Sequence, residues 1–456
     1  MSAPWEHPAN RAWIERDLAV LWHPCTQMQD HEALPPVPIR RAAGVWLEDF
    51  AGHRYLDAVS SWWVNLFGHA NPRINAAVKA QLDRLEHVIL AGFSHAPVIE
   101  LSERLVALAP PGLPRVFYAD NGSAGVEVAL KMSYHYWRNS GRPGKRRFVA
   151  LEHGYHGETL GALAVGAVPL YRETYGPLLL DVLTAASPDA SAREPGESWA
   201  DCAERRALEM EALLARHHDE VCAVIVEPLV QCAGGMRMHH PVYLQRLRAA
   251  CDRYAVHLIA DEIAVGFGRT GTLFACEQAG IRPDFLCLSK GLTGGYLPLA
   301  AVLTTETIYQ AFYDDYAKLT AFLHSHSYTG NPLACAAALE TLNIFAEEGV
   351  LERNRAFARC MGDACADLAD HPHVAEVRQT GMILAIEMVR DKGAREAYPW
   401  QERRGRRVYR HALEQGVLLR PLGDVIYLMP PYVMTPEQLE QVVDVARDGI
   451  ALATRD

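Results

Sequence analysis

The chain has 456 residues, half of them hydrophobic, which is enough apolar material for more than one folded core. Its formal net charge is -11, with 44 basic and 55 acidic residues and no long basic run, so nucleic acid and acidic membranes are not expected as partners. No apolar run reaches membrane-spanning length, the ten cysteines are irregularly spaced and the histidines lack zinc-like spacing, which together predict a cytoplasmic protein without a metal site.

The first 70 residues contain two patterned segments. Residues 44–57 alternate around a glycine-containing turn, which predicts a β-hairpin. The run SSWW at 60–63 follows, and adjacent tryptophans are most often core or interface residues. Beyond this region, helical spacing predicts amphipathic helices within 72–85 and 98–108.

Residues 115–132 read as a strand, a tight turn and a helix. The first N–H groups of that helix, with the Ser123 hydroxyl and the helix dipole, can hold a phosphate, although an ordinary capped helix has the same pattern. A second strand, 147–152, precedes a glycine-flanked loop. Residues 166–200 have no clean period and predict a long surface loop.

Three apolar runs of strand length end in ionisable residues. The run 221–226 ends at Glu227, which needs a partner when buried, and Arg269 is a candidate. The run beginning at Leu258 ends at Asp261, and the run beginning at Phe285 leads to Lys290. Since carboxyl ends of parallel strands meet at one sheet edge, Asp261 and Lys290 can lie together there.

The position of Lys290 at a strand end allows two interpretations. A lysine at a strand end can simply extend its amine into solvent. If it is buried instead, desolvation lowers the amine pKa and leaves the neutral form that attacks a carbonyl. A lysine for the aldehyde and an acid for the ring nitrogen are what pyridoxal phosphate requires, and Asp261 supplies the acid.

The remaining sequence predicts one more sheet strand and a change of pattern. Residues 299–305 are expected to close the central sheet, and 324–332 open an alanine-rich helix. From about 336 onward, helices alternate with short strands. Arg420 lies in an apolar segment interpreted as a strand, so it needs an acid, either internal or from a substrate carboxylate.

The runs IADEIAVGFGRTG (259–271) and LCLSKGLTGGYLPLAAV (286–302) resemble those of the class III, fold-type I pyridoxal-phosphate aminotransferases. The resemblance implies an α/β fold, with a large three-layer cofactor-binding domain on a mostly parallel sheet at 71–335. A smaller α+β domain would combine 1–70 with 336–456. It also implies that Lys290 bonds the cofactor and transfers the proton, that Asp261 pairs with the pyridine nitrogen, and that Gly122 and Ser123 hold the phosphate.

The same resemblance assigns residues in two loops. Tyr155 would lie over the cofactor ring as a catalytic residue and border the substrate. His326 and Ser327 would bind cofactor, and Ser325 substrate. Because Ser327 would reach the cofactor phosphate of the other subunit, the implied assembly is a homodimer with shared active sites.

Further motifs are similar to one branch of the family, the adenosylmethionine-8-amino-7-oxononanoate aminotransferases of biotin synthesis. They are SSWW, QCAGGMRMHHP, SYTGNPLACAAA and RPLGDVIYLMPPY. This similarity implies that Trp62 walls the substrate cavity and that Arg420 binds a substrate carboxylate.

Two positions depart from that branch. Cys25 stands at a substrate-binding position where part of the branch has a tyrosine, and Glu158 stands where some members have aspartate. The amino donor therefore stays open between S-adenosylmethionine, lysine, and the diamines or β-amino acids of an ω-transaminase. A cofactor-binding protein without turnover is disfavoured, because it would need neither Lys290 nor Asp261.

Overall fold

The computed structural model describes residues 3–455. The chain divides into two compact units. The small unit contains the residues up to Pro72, Ala356–Gln379 and the residues from Ile383 onward. The large unit contains Arg73–Arg355 and Thr380–Met382.

The helices and strands have the following bounds in chain order. The helices are α1 (Pro8–Leu18), α2 (Ser60–Trp63), α3 (Pro72–Leu82), α4 (Ala96–Leu108), α5 (Gly122–Asn139), α6 (Leu160–Ala164), α7 (Pro169–Tyr175), α8 (Trp199–His217), α9 (Val242–Tyr254), α10 (Glu306–Gln310), α11 (Pro332–Glu347), α12 (Val350–Cys365), α13 (Arg404–Glu414) and α14 (Pro436–Ala453). The strands are β1 (Ile39–Ala43), β2 (Trp46–Asp49), β3 (Arg54–Asp57), β4 (Arg115–Ala119), β5 (Arg147–Leu151), β6 (Val182–Ala185), β7 (Val221–Val226), β8 (Val230–Gln231), β9 (Arg237–Met238), β10 (His257–Asp261), β11 (Phe285–Leu288), β12 (Ala300–Thr304), β13 (Val374–Thr380), β14 (Ile383–Met388), β15 (Val417–Leu418) and β16 (Val425–Leu428).

The large unit is built on a seven-stranded sheet with the order β4-β12-β11-β10-β7-β5-β6. The five strands from β11 to β6 run parallel. Every residue of β7, β10, β11 and β12 is buried. Strands covered on both faces have no polar side to alternate with, which is why these segments read as continuous apolar runs. The α/β fold with a mostly parallel sheet is confirmed.

Two expectations about this sheet are wrong. Strand β12 lies inside the sheet, antiparallel to both β11 and β4, so it does not close an edge. Its short connection from β11 permits an antiparallel neighbour but is too short for a parallel crossover. The predicted surface loop 166–200 contains α7 and β6. Because β6 is a half-buried edge strand of four residues, it carries no clear alternation.

The carboxyl-terminal limit of the large unit differs from the boundary expected at 335 and 336. Helix α11 and the start of α12 group with the large unit. The reason is local packing, since α11 lies against α4 and against the 3-10 turn Lys290–Thr293.

The small unit holds two sheets, β1-β2-β3-β15 and β13-β14-β16. Strands β2 and β3 pair antiparallel, which confirms the predicted hairpin. The expectation that Arg420 lies in a strand is wrong, because β15 ends at Leu418 and the chain turns before β16. Pro421, which has no N–H to donate to a ladder, follows Arg420 directly.

Within residues 3–455, no helix combines the length and the apolar character needed to cross a bilayer. The same described part of the chain contains no group of three or more His, Cys, Asp or Glu side chains arranged to hold a metal ion.

Candidate active site

Lys290 and Asp261 lie at the carboxyl ends of adjacent parallel strands. Strands β10 and β11 pair with Asp261 opposite Cys287, and Lys290 begins the 3-10 turn after β11. The φ angle of Lys290 is 46°, in the left-handed region that side chains with a Cβ rarely adopt. Strained backbone of this kind persists only where the surrounding structure fixes it, and it concentrates at functional sites.

The environment of Lys290 shifts its amine toward the neutral form. Burial lowers its pKa from the ordinary value, and the nearby Arg269 acts in the same direction. The charges of Cys232, Asp261 and Glu227 oppose that shift without reversing it. Lys290 is half-buried, and its lowered pKa favours the interpretation in which the amine is desolvated over the one in which it extends into solvent.

Asp261 is held by a histidine that sequence analysis did not single out. The Nδ1 atom of His156 lies 2.7 Å from Oδ2 of Asp261, and the N–H of Ile263 donates to Oδ1 at 3.1 Å. His156 and Asp261 are both buried. The available signal was positional, because His156 follows β5, whose carboxyl end lies at the same sheet edge as that of β10.

Glu227 follows β7 at this edge and is satisfied by main-chain groups. The N–H of Tyr155 donates to one carboxylate oxygen at 3.0 Å, and the N–H of Cys232 donates to the other at 2.9 Å. Burial raises the Glu227 pKa to about 7, while these two bonds oppose the increase. Strand periodicity predicts a buried acid here but not its amide partners.

The amino end of α5 forms a cradle with the loop after β5. Asn121 caps the N–H of Ala124, which leaves the first-turn N–H groups of Gly122 and Ser123 outside that cap. A Cβ on Gly122 would lie 2.9 Å from an Ile263 methyl carbon. This close approach requires glycine at the first position of the helix, whose first-turn N–H groups can donate to a phosphate.

The loop side of this cradle is equally tight. A Cβ on Gly157 would lie 2.4 Å from the Ser123 hydroxyl oxygen. That oxygen accepts the N–H of Thr159 at 3.0 Å and lies 2.8 Å from the Thr159 hydroxyl. The helix dipole and these donors suit a phosphate group.

Tyr155 and Glu158 contact each other in the same loop. The Tyr155 hydroxyl donates to Glu158 at 3.1 Å, and the Tyr171 hydroxyl donates to the same oxygen at 3.3 Å. Glu158, to which sequence analysis assigned no role, therefore accepts hydrogen bonds from the hydroxyls of both Tyr155 and Tyr171.

The segment 325–329 is held beside the amino end of α5 by two polar contacts. The Nε2 atom of His326 lies 3.2 Å from a carboxylate oxygen of Asp120, and the Thr329 hydroxyl donates to the carbonyl of Tyr118 at 2.6 Å. Ser325 and Ser327 are exposed. The structure thus brings His326 to the cradle and leaves the two serines facing solvent.

Three predicted substrate-binding residues belong to the small unit. The Arg420 guanidinium lies over the Trp62 ring, 5.3 Å from its centroid. Cys25 and Arg420 line the same cavity of about 850 Å³, whose wall is formed by the small unit. Among residues 3–455, no ion pair involves Arg420.

The large-unit cluster fits pyridoxal phosphate at each of its reactive groups. Lys290 offers an amine of lowered pKa to an aldehyde. Asp261, fixed by His156, offers an acid to a pyridine nitrogen, and the Gly122 and Ser123 cradle offers donors to a phosphate. A fold with these groups at the carboxyl edge of a parallel sheet defines a pyridoxal-phosphate enzyme as a class.

Comparison with known families assigns the chain more closely. The family model of class-III aminotransferases matches residues 27–449. The adenosylmethionine-8-amino-7-oxononanoate aminotransferase of Helicobacter pylori is 48% identical over 433 residues, covering 94% of this chain and 95% of that protein. The enzyme of that name from Geobacter sulfurreducens is 43% identical, covering 97% and 98%. The chain belongs to the class-III aminotransferases.

Solved structures agree on the fold. A crystal structure of the adenosylmethionine-8-amino-7-oxononanoate aminotransferase of Methanocaldococcus jannaschii has a TM-score of 0.91 at 38% identity, covering 97% of this chain and 99% of that one. An ω-transaminase from Pseudomonas jessenii, solved in complex with PMP, has a TM-score of 0.92 at 31% identity, covering 97% and 98%. Fold similarity therefore does not separate these two activities.

Proposed function

We propose that this aminotransferase moves an amino group from S-adenosylmethionine to 8-amino-7-oxononanoate, giving 7,8-diaminononanoate for biotin synthesis, with pyridoxal phosphate as cofactor. One observation carries the proposal. Eight relatives that bear the corresponding enzyme name are 36% to 48% identical over at least 92% of this chain.

The cofactor supplies an electron-withdrawing ring that stabilises negative charge on the substrate carbon. The chain supplies the rest. Lys290 accepts the proton from the substrate carbon at Nζ and returns it on the other side of the reaction, for which its lowered pKa is suited. Asp261, positioned by His156, keeps the ring nitrogen protonated. Gly122 and Ser123 anchor the phosphate.

Arg420 is proposed to bind the carboxylate of each substrate. A guanidinium can meet a carboxylate with two parallel hydrogen bonds, and both S-adenosylmethionine and the amino-keto acceptor carry that group. The proposal is supported by the surroundings of Arg420, which contacts the Trp62 ring and has no ion pair within residues 3–455.

An ω-transaminase acting on diamines or β-amino acids is the second candidate, as is the same acceptor with lysine as donor. The TM-score of 0.92 with the Pseudomonas jessenii enzyme favours keeping the ω-transaminase as a candidate. Cys25, which cannot give the long hydroxyl contact of a tyrosine, favours testing the donor directly.

The donor is tested by supplying the amino-keto acceptor with S-adenosylmethionine, lysine or a simple diamine and measuring 7,8-diaminononanoate. We expect kcat/KM to be at least about tenfold higher with S-adenosylmethionine, equivalent to ~1.4 kcal/mol in transition-state stabilisation. Higher efficiency with lysine would keep the acceptor and change the donor. Amino transfer from the diamine to the cofactor, with no 7,8-diaminononanoate formed from the amino-keto acceptor by any donor, would favour the ω-transaminase.

The proposal includes a cytoplasmic homodimer with shared active sites. The homodimer is supported by three residues that are exposed in the single chain, namely Ser327, Tyr328 and Phe93. Large apolar side chains left in solvent are typical of surfaces that a partner covers. Within residues 3–455 the ten cysteines form no disulfides, which suits a reducing compartment.

Shared sites can be tested by mixing two inactive variants. Ser327→Asp would place a carboxylate against the partner's cofactor phosphate, and Lys290→Ala would remove the amine. A heterodimer of the two has one site free of both changes. If subunits exchange at random, we expect mixing to restore about a quarter of wild-type activity. Exchange shown independently by differently tagged subunits, without restored activity, would place both residues in sites built within one chain.

A further inference from the structure

We propose that Asp57 is a positioning residue that holds Trp62 against Arg420 and thereby sets the affinity for substrate carboxylates. The inference rests on the proposed function, in which Arg420 binds those carboxylates. Asp57 does not itself contact Arg420 or substrate in this proposal, and it acts through the turn that carries Trp62.

Sheet topology brings the two segments together. Strand β3 ends at Asp57 and β15 ends at Leu418, and these residues pair across parallel strands. The N–H of Ala58 also donates to the Leu418 carbonyl at 3.3 Å. Because parallel strands finish at the same edge, the turn carrying Trp62 and the segment carrying Arg420 leave the sheet side by side.

The turn carrying Trp62 is the segment Ser60–Trp63 (α2), and its backbone is left-handed and not that of an ordinary α-helix. Ser60, Ser61, Trp62 and Trp63 have φ angles of 52°, 45°, 71° and 73°, so four consecutive residues with a Cβ are left-handed. That conformation is unfavourable for each of them, and none is glycine. Such a turn forms only if other groups fix it.

The Asp57 carboxylate supplies most of that fixation. One oxygen accepts the N–H of Ser61 at 2.9 Å and that of Val59 at 3.3 Å. The other accepts the Ser61 hydroxyl at 2.7 Å and Nε2–H of His69 at 3.0 Å. Asp57 is fully buried, so water does not compete with these donors.

Neighbouring bonds brace the same turn. The Asn65 amide donates to Nδ1 of His69 at 3.2 Å, which leaves Nε2 to donate to Asp57. The Ser60 hydroxyl donates to the Met429 carbonyl at 2.7 Å, and the Trp63 indole donates to the Tyr427 hydroxyl at 3.0 Å.

The Trp62 side chain is not enclosed by the turn, since 45% of its surface is exposed. Its ring faces the Arg420 guanidinium at 5.3 Å, and this stacking orients a group that makes no ion pair within residues 3–455. Loss of the turn would leave Arg420 charged but poorly oriented for two parallel hydrogen bonds.

The test uses Asp57→Asn in the holoenzyme, with nonanoate as a competitive ligand that has the carboxylate and chain but no amino group. We expect the inhibition constant for nonanoate and the Michaelis constant for the amino-keto acceptor to rise about 2- to 25-fold, the range of a cation–π contact. We expect kcat to stay within about twofold, because the groups around Lys290 are untouched. Ser61→Ala, which removes one of the four donors, should shift both constants in the same direction by less.

Asp49→Asn is the matched control. Asp49 is also fully buried at a strand end of the small unit, and accepts bonds from Asn10, His53 and Tyr55. We expect this change to lower the melting temperature without altering the nonanoate constant. An equal rise in that constant for both aspartate variants would overturn the positioning role.

Combining Asp57→Asn with Arg420→Ala separates the two proposals. If Asp57 acts through Arg420, the aspartate change should have no further effect on nonanoate binding in the Arg420→Ala background. Equal effects in both backgrounds, or none in either, would overturn the inference about Asp57 alone. If Arg420→Ala by itself leaves nonanoate binding unchanged, the proposed role of Arg420 in binding carboxylates has failed.

Discussion

Replacing Lys290 with alanine is expected to abolish turnover while pyridoxal phosphate still binds. The Gly122 and Ser123 cradle and Asp261 stay in place, so phosphate and ring contacts are retained. The amine proposed to bond the cofactor and move the proton is lost, and positioned acid–base groups contribute about 10²- to 10⁴-fold to rate. Single-turnover assays should show at least that loss, and the visible absorption band of the lysine-linked cofactor should disappear.

Lys145 provides a matched control for this experiment. It is buried in the large unit, and burial lowers its pKa to about 8. It lies before β5, at the opposite end of the strands, where its amine donates to the Val221 carbonyl at 2.9 Å. Lys145→Met should keep both the absorption band and turnover. An intact band in Lys290→Ala would move the cofactor-bonding amine elsewhere.

Arg420→Ala is expected to reduce kcat/KM strongly in both half-reactions. Leaving a desolvated carboxylate unpaired costs roughly 2–5 kcal/mol, which is about one and a half to three and a half decades. Because Arg420 has no ion pair within residues 3–455, removing it leaves no internal acid uncompensated, and the melting temperature should change little. Stopped-flow absorbance of each half-reaction measures the loss.

Arg403 is the control for charge in the same cavity. Its guanidinium pairs with Asp30 at 2.5 Å and is about half exposed, so Arg403→Ala should affect catalysis far less. A donor without a carboxylate supplies the second comparison. If a simple diamine is a good donor for the wild type and Arg420→Ala leaves its half-reaction unchanged, the ω-transaminase becomes the better assignment.

Local sequence patterns predicted the part of the site that depends on single strands. Apolar runs marked β7, β10 and β11 because these strands are buried on both faces. Their ends placed Asp261 and Lys290 at one sheet edge and Glu227 at the end of a third buried strand. The hairpin of β2 and β3 was likewise visible, since its pairing is local and its turn contains glycine.

The features that sequence patterns missed depend on distant partners. The bond between His156 and Asp261 joins residues 105 positions apart, and no spacing rule links them. Strand β12 reads like its parallel neighbours, because burial and not strand direction determines its composition. The left-handed turn at Ser60–Trp63 contains no glycine to mark it, and the Asp57 carboxylate that accepts bonds from this turn is not signalled by any local pattern.

The division of the chain has a consequence for synthesis on the ribosome. The first part of the small unit, including β1 to β3, leaves the ribosome before about 280 residues of the large unit. About 360 residues separate the end of β3 from the start of β15, so at ~5–20 residues per second β3 waits roughly 18–72 s before its partner strand begins to emerge. The large unit is nearly contiguous and can fold during this interval. Newly made chains should therefore acquire a cofactor-binding core before the Trp62 and Arg420 pair exists, and the exposed edge of β3 is where nascent chains would need protection from aggregation.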